Sequence, residues 1–191
     1  MTQIRLSIFA SGGGSNAQIF FERFKDHPSI EIVSVFTNNK SAGVIDKANR
    51  FDIPVHVYNR TYWQGGEKII ELLEHDQVDY IVLAGFMLLI TEALVQTYSD
   101  RIFNIHPALL PKYGGKGMYG SRVHEAVVNN HEPESGISIH YVNKEYDKGN
   151  IIFQAKCSIS KADTPEDVAQ KVHQLEYKHY PAVIRDVLEK L

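Results

Sequence analysis

Through the first half of the chain, short runs of apolar β-branched residues alternate with segments whose apolar positions recur every three or four residues. Ile4–Ala10 (IRLSIFA) reads as a strand, and Asn16–Asp26 as a helix with Ile19, Phe20 and Phe24 on one face. The alternation continues with a strand at Glu31–Thr37, the segment Ala42–Phe51 and the short Pro54–Tyr58. A helix follows at Trp63–Asp76, turning Ile69, Ile70, Leu72 and Leu73 inward, its start blurred by Gly65 and Gly66. Asp79–Gly85 is apolar almost throughout, as a strand covered on both faces must be. Thr91–Asp100 reads as a short helix and Arg101–His106 as the next strand. Strands and helices alternating at this spacing build βαβ units around a parallel sheet. Right-handed crossovers bring the strand C-termini to one edge, where open α/β sheets bind their ligands. The stretches SGGGSN (Ser11–Asn16), AGFM (Ala84–Met87) and NIHP (Asn104–Pro107) all fall on that edge.

The second half changes period. Tyr113–Val123 is glycine-rich and reads as a long loop before a helix from about Val123 to Asn129. Glu134–Asn143 and Ile151–Ile159 each alternate with period two and are joined by a glycine-containing turn, the pattern of an antiparallel hairpin. Thr164, Pro165, Glu166 and Asp167 then open a helix with a threonine cap and a buried stripe of Val168, Val172 and Leu175. Pro181 is expected to kink or break that helix before Ala182–Leu191 closes the chain. The expected class is therefore α/β: a Rossmann-like open sheet, mostly parallel in its N-terminal part, with an antiparallel C-terminal hairpin and helices on both faces. The 191 residues suit one domain, 1–191, with halves meeting near residue 100.

Composition narrows the chemistry. Twenty basic against 23 acidic side chains leave a net charge of −3, which argues against a nucleic-acid partner. The longest apolar stretch, Tyr80–Ile90, is far short of the ~20 residues of a membrane span. Cys157 is the only cysteine, so no disulfide framework or thiolate zinc site is expected, and a reducing, cytoplasmic setting follows. Arg5 interrupts the opening apolar run, so no signal-peptide pattern is expected. No metal is expected either. His124 begins a zinc-helix pattern, but Val128 stands where the second histidine must fall.

Ser11–Asn16 follows a strand and opens a helix. Consecutive glycines let a ligand approach the backbone, the helix N-terminus offers N–H donors to an anion, and Ser15 and Asn16 add side-chain donors. A nicotinamide site would need an acid at the end of the second strand, yet that strand ends Thr37-Asn38-Asn39. The loop reads as a monophosphate cradle, with a tight strand-to-helix turn as the alternative. Asn104 and His106, two apart at a strand end, project toward one face. An amide that stabilises an oxyanion, beside an imidazolium that donates to it or shuttles a proton, is what acyl transfer requires. A carboxylate beside the imidazole would raise its pKa. Asp147, in the hairpin turn, is the candidate, with a solvated turn aspartate as the alternative.

Together, the glycine loop, AGFM, NIHPALLPKY and an aspartate 41 positions after His106 resemble the phosphoribosylglycinamide formyltransferases, across nearly the whole chain. The resemblance implies formyl transfer from 10-formyltetrahydrofolate, as co-substrate, to the amine of glycinamide ribonucleotide in de novo purine synthesis. It implies Asn104, His106 and Asp147 as the catalytic trio. Gly13, Gly14, Ser15 and Asn16 would form the phosphate loop, and Glu176 would grip ribose hydroxyls. Leu83, Phe86, Met87, Leu88, Leu89, Ile90 and Val142 would line the folate pocket, and Ser138, His140 and His173 are accessory candidates. On this basis residues 1–100 are the phosphate-binding half and 101–191 the catalytic and folate-binding half.

Two features depart from the family pattern. A longer GGKGMYGSRVHEAV replaces the short loop after the Leu-Leu-Pro, with His124 as its histidine, and Leu88 stands where some members have arginine. The glycine-rich segment 114–120 is expected to act as a mobile lid. The rival readings are a formyltetrahydrofolate hydrolase, which would not need the phosphate loop, and a non-catalytic nucleotide-binding module. A methionyl-tRNA formyltransferase would call for a further domain and a basic face.

Overall fold

The computed structural model describes residues 3–63 and 65–190. Met1, Thr2 and Leu191, at the ends of the expected domain, and Gln64, within the expected helix Trp63–Asp76, lie outside the described residues. The chain divides into two compact units, Met1–Phe103 and Asn104–Leu191. Among the described residues, seven strands run in the order β3-β2-β1-β4-β5-β6-β7.

The first unit holds β1 (Ile4–Phe9), α1 (Ser15–Phe24), β2 (Ile30–Thr37), α2 (Val44–Asn49) and β3 (Val55–Val57). After these come α3 (Arg60–Trp63), α4 (Glu67–His75), β4 (Tyr80–Leu83), α5 (Glu92–Thr97) and the start of β5 (Ile102–His106). β1 pairs in parallel with both β2 and β4, and β2 pairs in parallel with β3. Strand order therefore reverses at β1, and the glycine loop leaves the sheet at that switch point, where such sheets bind ligands. Leu6, Ile8, Phe9, Phe20, Phe21, Val35, Phe36, Ile81 and Val82 are buried in this unit. Their burial follows the apolar runs that mark the strands and the inner face of α1.

The helix expected over Trp63–Asp76 starts late: Trp63 ends α3, and a second helix, α4, begins only at Glu67. Gly66 caps the second with a φ of 80°, and a Cβ there would run into the Thr91 side chain. Glycine is required at that position, and the break follows from it. The strand expected over Asp79–Gly85 is shorter, because Gly85 takes a φ of 76° and ends it.

The second unit holds the rest of β5, α6 (Ser121–Asn129), β6 (Glu134–Tyr141), β7 (Ile151–Ser158) and α7 (Pro165–Leu188). β6 and β7 form the antiparallel hairpin the alternation predicts, with Ser138 opposite Gln154. Thr164 and Asp167 cap α7 reciprocally, an arrangement that contributes about 1 kcal/mol. Pro181 does not break this helix, which runs on for 24 residues. Val172, Tyr180, Pro181, Ile184 and Leu188 are buried along it, so packing outweighs the one backbone bond that proline cannot make. No helix among the described residues is long and apolar enough to cross a membrane.

Candidate active site

In the second unit, the end of β5 and the hairpin turn bring together four of the residues singled out in the sequence. Their hydrogen bonds also fix which atoms carry protons. His140 Nδ1 lies 2.8 Å from the Tyr141 carbonyl, which only accepts, so Nδ1 is the protonated nitrogen. His140 Nε2 is then an acceptor, and the Asn104 amide nitrogen donates to it at 3.1 Å. That bond sets the amide the right way round and leaves its second N–H for another partner. His106 runs the opposite way. Its Nε2 donates to the Tyr113 carbonyl at 2.7 Å, so in the neutral ring Nδ1 holds the lone pair.

Asp147 faces both rings. Its Oδ2 lies 3.6 Å from His106 Nδ1 and its Oδ1 3.8 Å from His140 Nε2, ion-pair spacings longer than direct hydrogen bonds. Oδ2 also accepts from the Gly115 backbone N–H at 2.9 Å, tying the start of the glycine-rich loop to the turn. Asp147 and Tyr113 both take left-handed backbone conformations, with φ of 54° and 57°. Aspartate tolerates that region; tyrosine does so at a cost, and a cost of this kind persists where the surroundings hold the residue in place. The tie is close-packed: a side chain at Gly114 would come within 3.3 Å of Asp147 Cβ.

His106 is 3% exposed and His140 2%. Burial pushes the His106 pKa down, against the opposing pull of Asp147 and the Tyr113 carbonyl. The expectation of a raised pKa is therefore corrected: Asp147 has the anticipated sign, but withdrawal from water outweighs it. Burial likewise lowers His140, opposed by the Tyr141 carbonyl and by Asp147. Both shifts favour the neutral form of the ring.

Ser138 is fully buried, donating to the Ala108 carbonyl at 2.7 Å and accepting from the Leu110 N–H at 2.9 Å. It holds the chain beyond His106 and does not bond the trio. His124, on α6, is buried beside His173 on α7, with ring centroids 6.4 Å apart. Burial chiefly, with His173 and His106 adding to it, lowers the His124 pKa to about 4. His173 stacks on Tyr177 at 6.0 Å. Glu176 is buried on α7, and Val142 is half-buried just after β6.

In the first unit, the glycine loop separates into two roles. Gly14 has a φ of 71° and caps α1, and a Cβ there would approach the Val44 side chain to 2.7 Å. It is glycine for structural reasons. Gly12 and Gly13 would meet nothing within 4 Å, so their missing side chains leave open space. Ser15 and Asn16 begin α1, whose N-terminus has no side-chain cap hydrogen bond. Ser11 fixes the loop: its hydroxyl bonds Asn38 at 2.5 Å and accepts from the Met87 N–H at 2.9 Å.

The segment after β4 is mixed. Met87 and Leu89 are 65% and 46% exposed, the kind of apolar surface that marks a ligand face. Leu88 is half-buried, and Phe86 packs edge-on against Phe9 and at a tilt against Trp63. Leu83 and Ile90 point inward, 5% and 4% exposed. Among the described residues, no group of three or more His, Cys, Asp or Glu side chains is arranged to hold a metal.

Three participants had no sequence signal of their own: the Tyr113 carbonyl, the Gly115 N–H and Gln154. The first two act through the backbone. Gln154, whose amide nitrogen donates to the Leu110 carbonyl at 3.0 Å and to Ser138 Oγ at 2.7 Å, sits on a strand where alternation predicts only an outward polar residue.

The chain is similar to known proteins along most of its length. The formyl transferase family model matches residues 4–184. The chain is 35% identical to the phosphoribosylglycinamide formyltransferase of Bacillus subtilis, over 96% of this chain and 94% of that one. It is 38% identical to the chloroplastic phosphoribosylglycinamide formyltransferase of Arabidopsis thaliana over 97% of its own length, and spans 66% of that relative. The crystal structure of the phosphoribosylglycinamide formyltransferase of Anaplasma phagocytophilum superposes with a TM-score of 0.90 at 31% identity, covering 99% of this chain and 89% of that one. The chain belongs to the formyl transferase family and, within it, groups with the phosphoribosylglycinamide formyltransferases.

Proposed function

We propose that the protein transfers the formyl group of 10-formyltetrahydrofolate to the primary amine of glycinamide ribonucleotide, a step of de novo purine synthesis, in the cytoplasm. One observation carries the chemistry. His106 Nδ1 lies 3.6 Å from the Asp147 carboxylate, while His140 orients the Asn104 amide. The amine attacks the formyl carbon, forming the C–N bond and leaving negative charge on the formyl oxygen. The free N–H of Asn104 stabilises that oxyanion. His106 Nδ1 takes the proton released by the amine, and the Asp147 charge stabilises the imidazolium. The proton then passes to the folate nitrogen as its bond to the formyl carbon breaks. No covalent enzyme intermediate is needed.

In this reading Gly13, Gly14, Ser15 and Asn16 hold the ribonucleotide phosphate, and Glu176 holds ribose hydroxyls. The open space at Gly13, just before the N-terminus of α1, supports the phosphate assignment. Met87, Leu88 and Leu89 offer apolar surface to the folate, with Phe86 and Val142 half-buried and Leu83 and Ile90 supporting from beneath. His173 is assigned to packing beside His124.

The test is to incubate the protein with 10-formyltetrahydrofolate and follow tetrahydrofolate with and without glycinamide ribonucleotide. Turnover that requires the ribonucleotide is the expected result. Turnover without it would make the protein a hydrolase, and none in either case would leave a binding module.

A further inference from the structure

Beyond the trio, the second unit contains a set of side-chain bonds that holds the backbone leaving the candidate site. The Gln154 amide nitrogen spends both N–H groups inward, one on the Leu110 carbonyl at 3.0 Å and one on Ser138 Oγ at 2.7 Å. Ser138 Oγ also accepts from the Leu110 N–H and donates to the Ala108 carbonyl, so its hydroxyl is saturated. Three backbone groups of the segment after His106 are thus fixed by two side chains facing each other across the β6–β7 pair. Three residues beyond Leu110 stands Tyr113, left-handed, whose carbonyl decides which nitrogen of His106 carries the proton.

We infer that Gln154 is a positioning residue for formyl transfer: through Leu110 and Ser138 it keeps the Tyr113 carbonyl on His106 Nε2 and so leaves His106 Nδ1 as the reactive nitrogen. The inference rests on the proposed role of His106. An outward polar residue on β7 would satisfy the alternation equally well as lysine or threonine; two buried acceptors explain a carboxamide. Gln154 also lines a cleft of about 170 Å³ with Lys112, Glu132, Glu134, Ser135 and Lys156. That cleft carries no ligand assignment of its own, because Lys112 is paired with Glu132 and Lys156 with Glu134.

Gln154→Met keeps the shape and removes both donors. The expected result is a fall in kcat of about tenfold with KM for the ribonucleotide within about twofold, because binding groups are untouched. The acid limb of the pH–rate profile should also move to lower pH, since His106 loses an acceptor that favours its charged form; Asp147, His140 and His124 are the other titrating groups that influence this ring. Ring ¹⁵N shifts of His106 should change from one dominant Nε2–H tautomer to a mixture. That readout needs no turnover, so it stands even if the wild-type protein proves to transfer no formyl group. An unchanged tautomer, or an unchanged kcat and pH profile in an active enzyme, would overturn the inference. Gln154→Glu, isosteric but with an acceptor in place of the donors, should give a larger loss on the same readouts and replaces Gln154→Met if that variant does not fold.

Discussion

The loop after β1 and the turn after β6 both present polar groups, but by opposite means. At Gly12 and Gly13 the chain offers backbone and empty space, with Ser11 bonded behind it and no side chain filling the gap. At Asp147 the chain offers a side chain, held by a backbone N–H, faced by two buried imidazoles and carried on a left-handed residue. A phosphate is anionic throughout this pH range and can be bound by N–H groups in any sequence that leaves room, so the loop is built by omission. Proton transfer depends on which nitrogen of a ring carries hydrogen, so the turn is built by mutual constraint. Substitutions should therefore separate the two regions cleanly, binding in one and rate in the other.

The largest effect is expected at the turn. Asp147→Asn should lower kcat by roughly 10²–10⁴-fold while KM for the ribonucleotide changes little, measured in steady state. Asn104→Ala should cost roughly 10²–10³-fold in kcat, since it removes the oxyanion donor. An equal rise in KM for either would erase the contrast between the regions.

Acid should unfold the second unit through its histidines. Burial holds the His124 pKa at about 4, below the ordinary 6.5, so the unfolded chain binds more protons between those values. Stability is then complete above pH 6.5 and falls as the pH drops toward 4, by roughly 3 kcal/mol from this residue. His106 and His140, lowered by burial too, add in the same direction. Denaturant melts across that range should be flatter in His124→Met.

The glycine loop should show the smaller, split response. Gly14→Ala forces a side chain into a left-handed residue against Val44 and should cost about 1–3 kcal/mol of stability. Gly13→Ala should leave stability within about 0.5 kcal/mol but raise KM for the ribonucleotide on the order of tenfold, as the methyl occupies the space meant for phosphate. Equal KM for Gly13→Ala and the wild type would return the loop to being only a turn.

Periodicity made the fold legible. The parallel run of β1 to β4, the antiparallel β6–β7 hairpin and the capped start of α7 follow from apolar spacing and turn residues. The failures have local causes. The helix expected from Trp63 begins only after Gly66, where Thr91, far along the chain, leaves no room for a side chain, and Pro181 stayed inside α7 because burial on both sides of it outweighs one lost bond. The glycine loop was legible because omission shows as glycine. Asn104 and His106 were legible as a pair because they share a strand end. The link from Asn104 to His140 spans 36 residues, and the one from His106 to Tyr113 ends on a carbonyl that every residue possesses. The sign of the His106 shift depends on burial, which alternation within five residues of β5 does not report.

The most direct test is the pH dependence of kcat/KM for the wild type and Asp147→Asn together. A neutral His106 that accepts the proton, with Asp147 favouring its cation, predicts a wild-type acid limb below pH 6.5 and one displaced further toward acid in the slower Asp147→Asn. A wild-type limb above pH 6.5, or the same limb in both proteins, would contradict it.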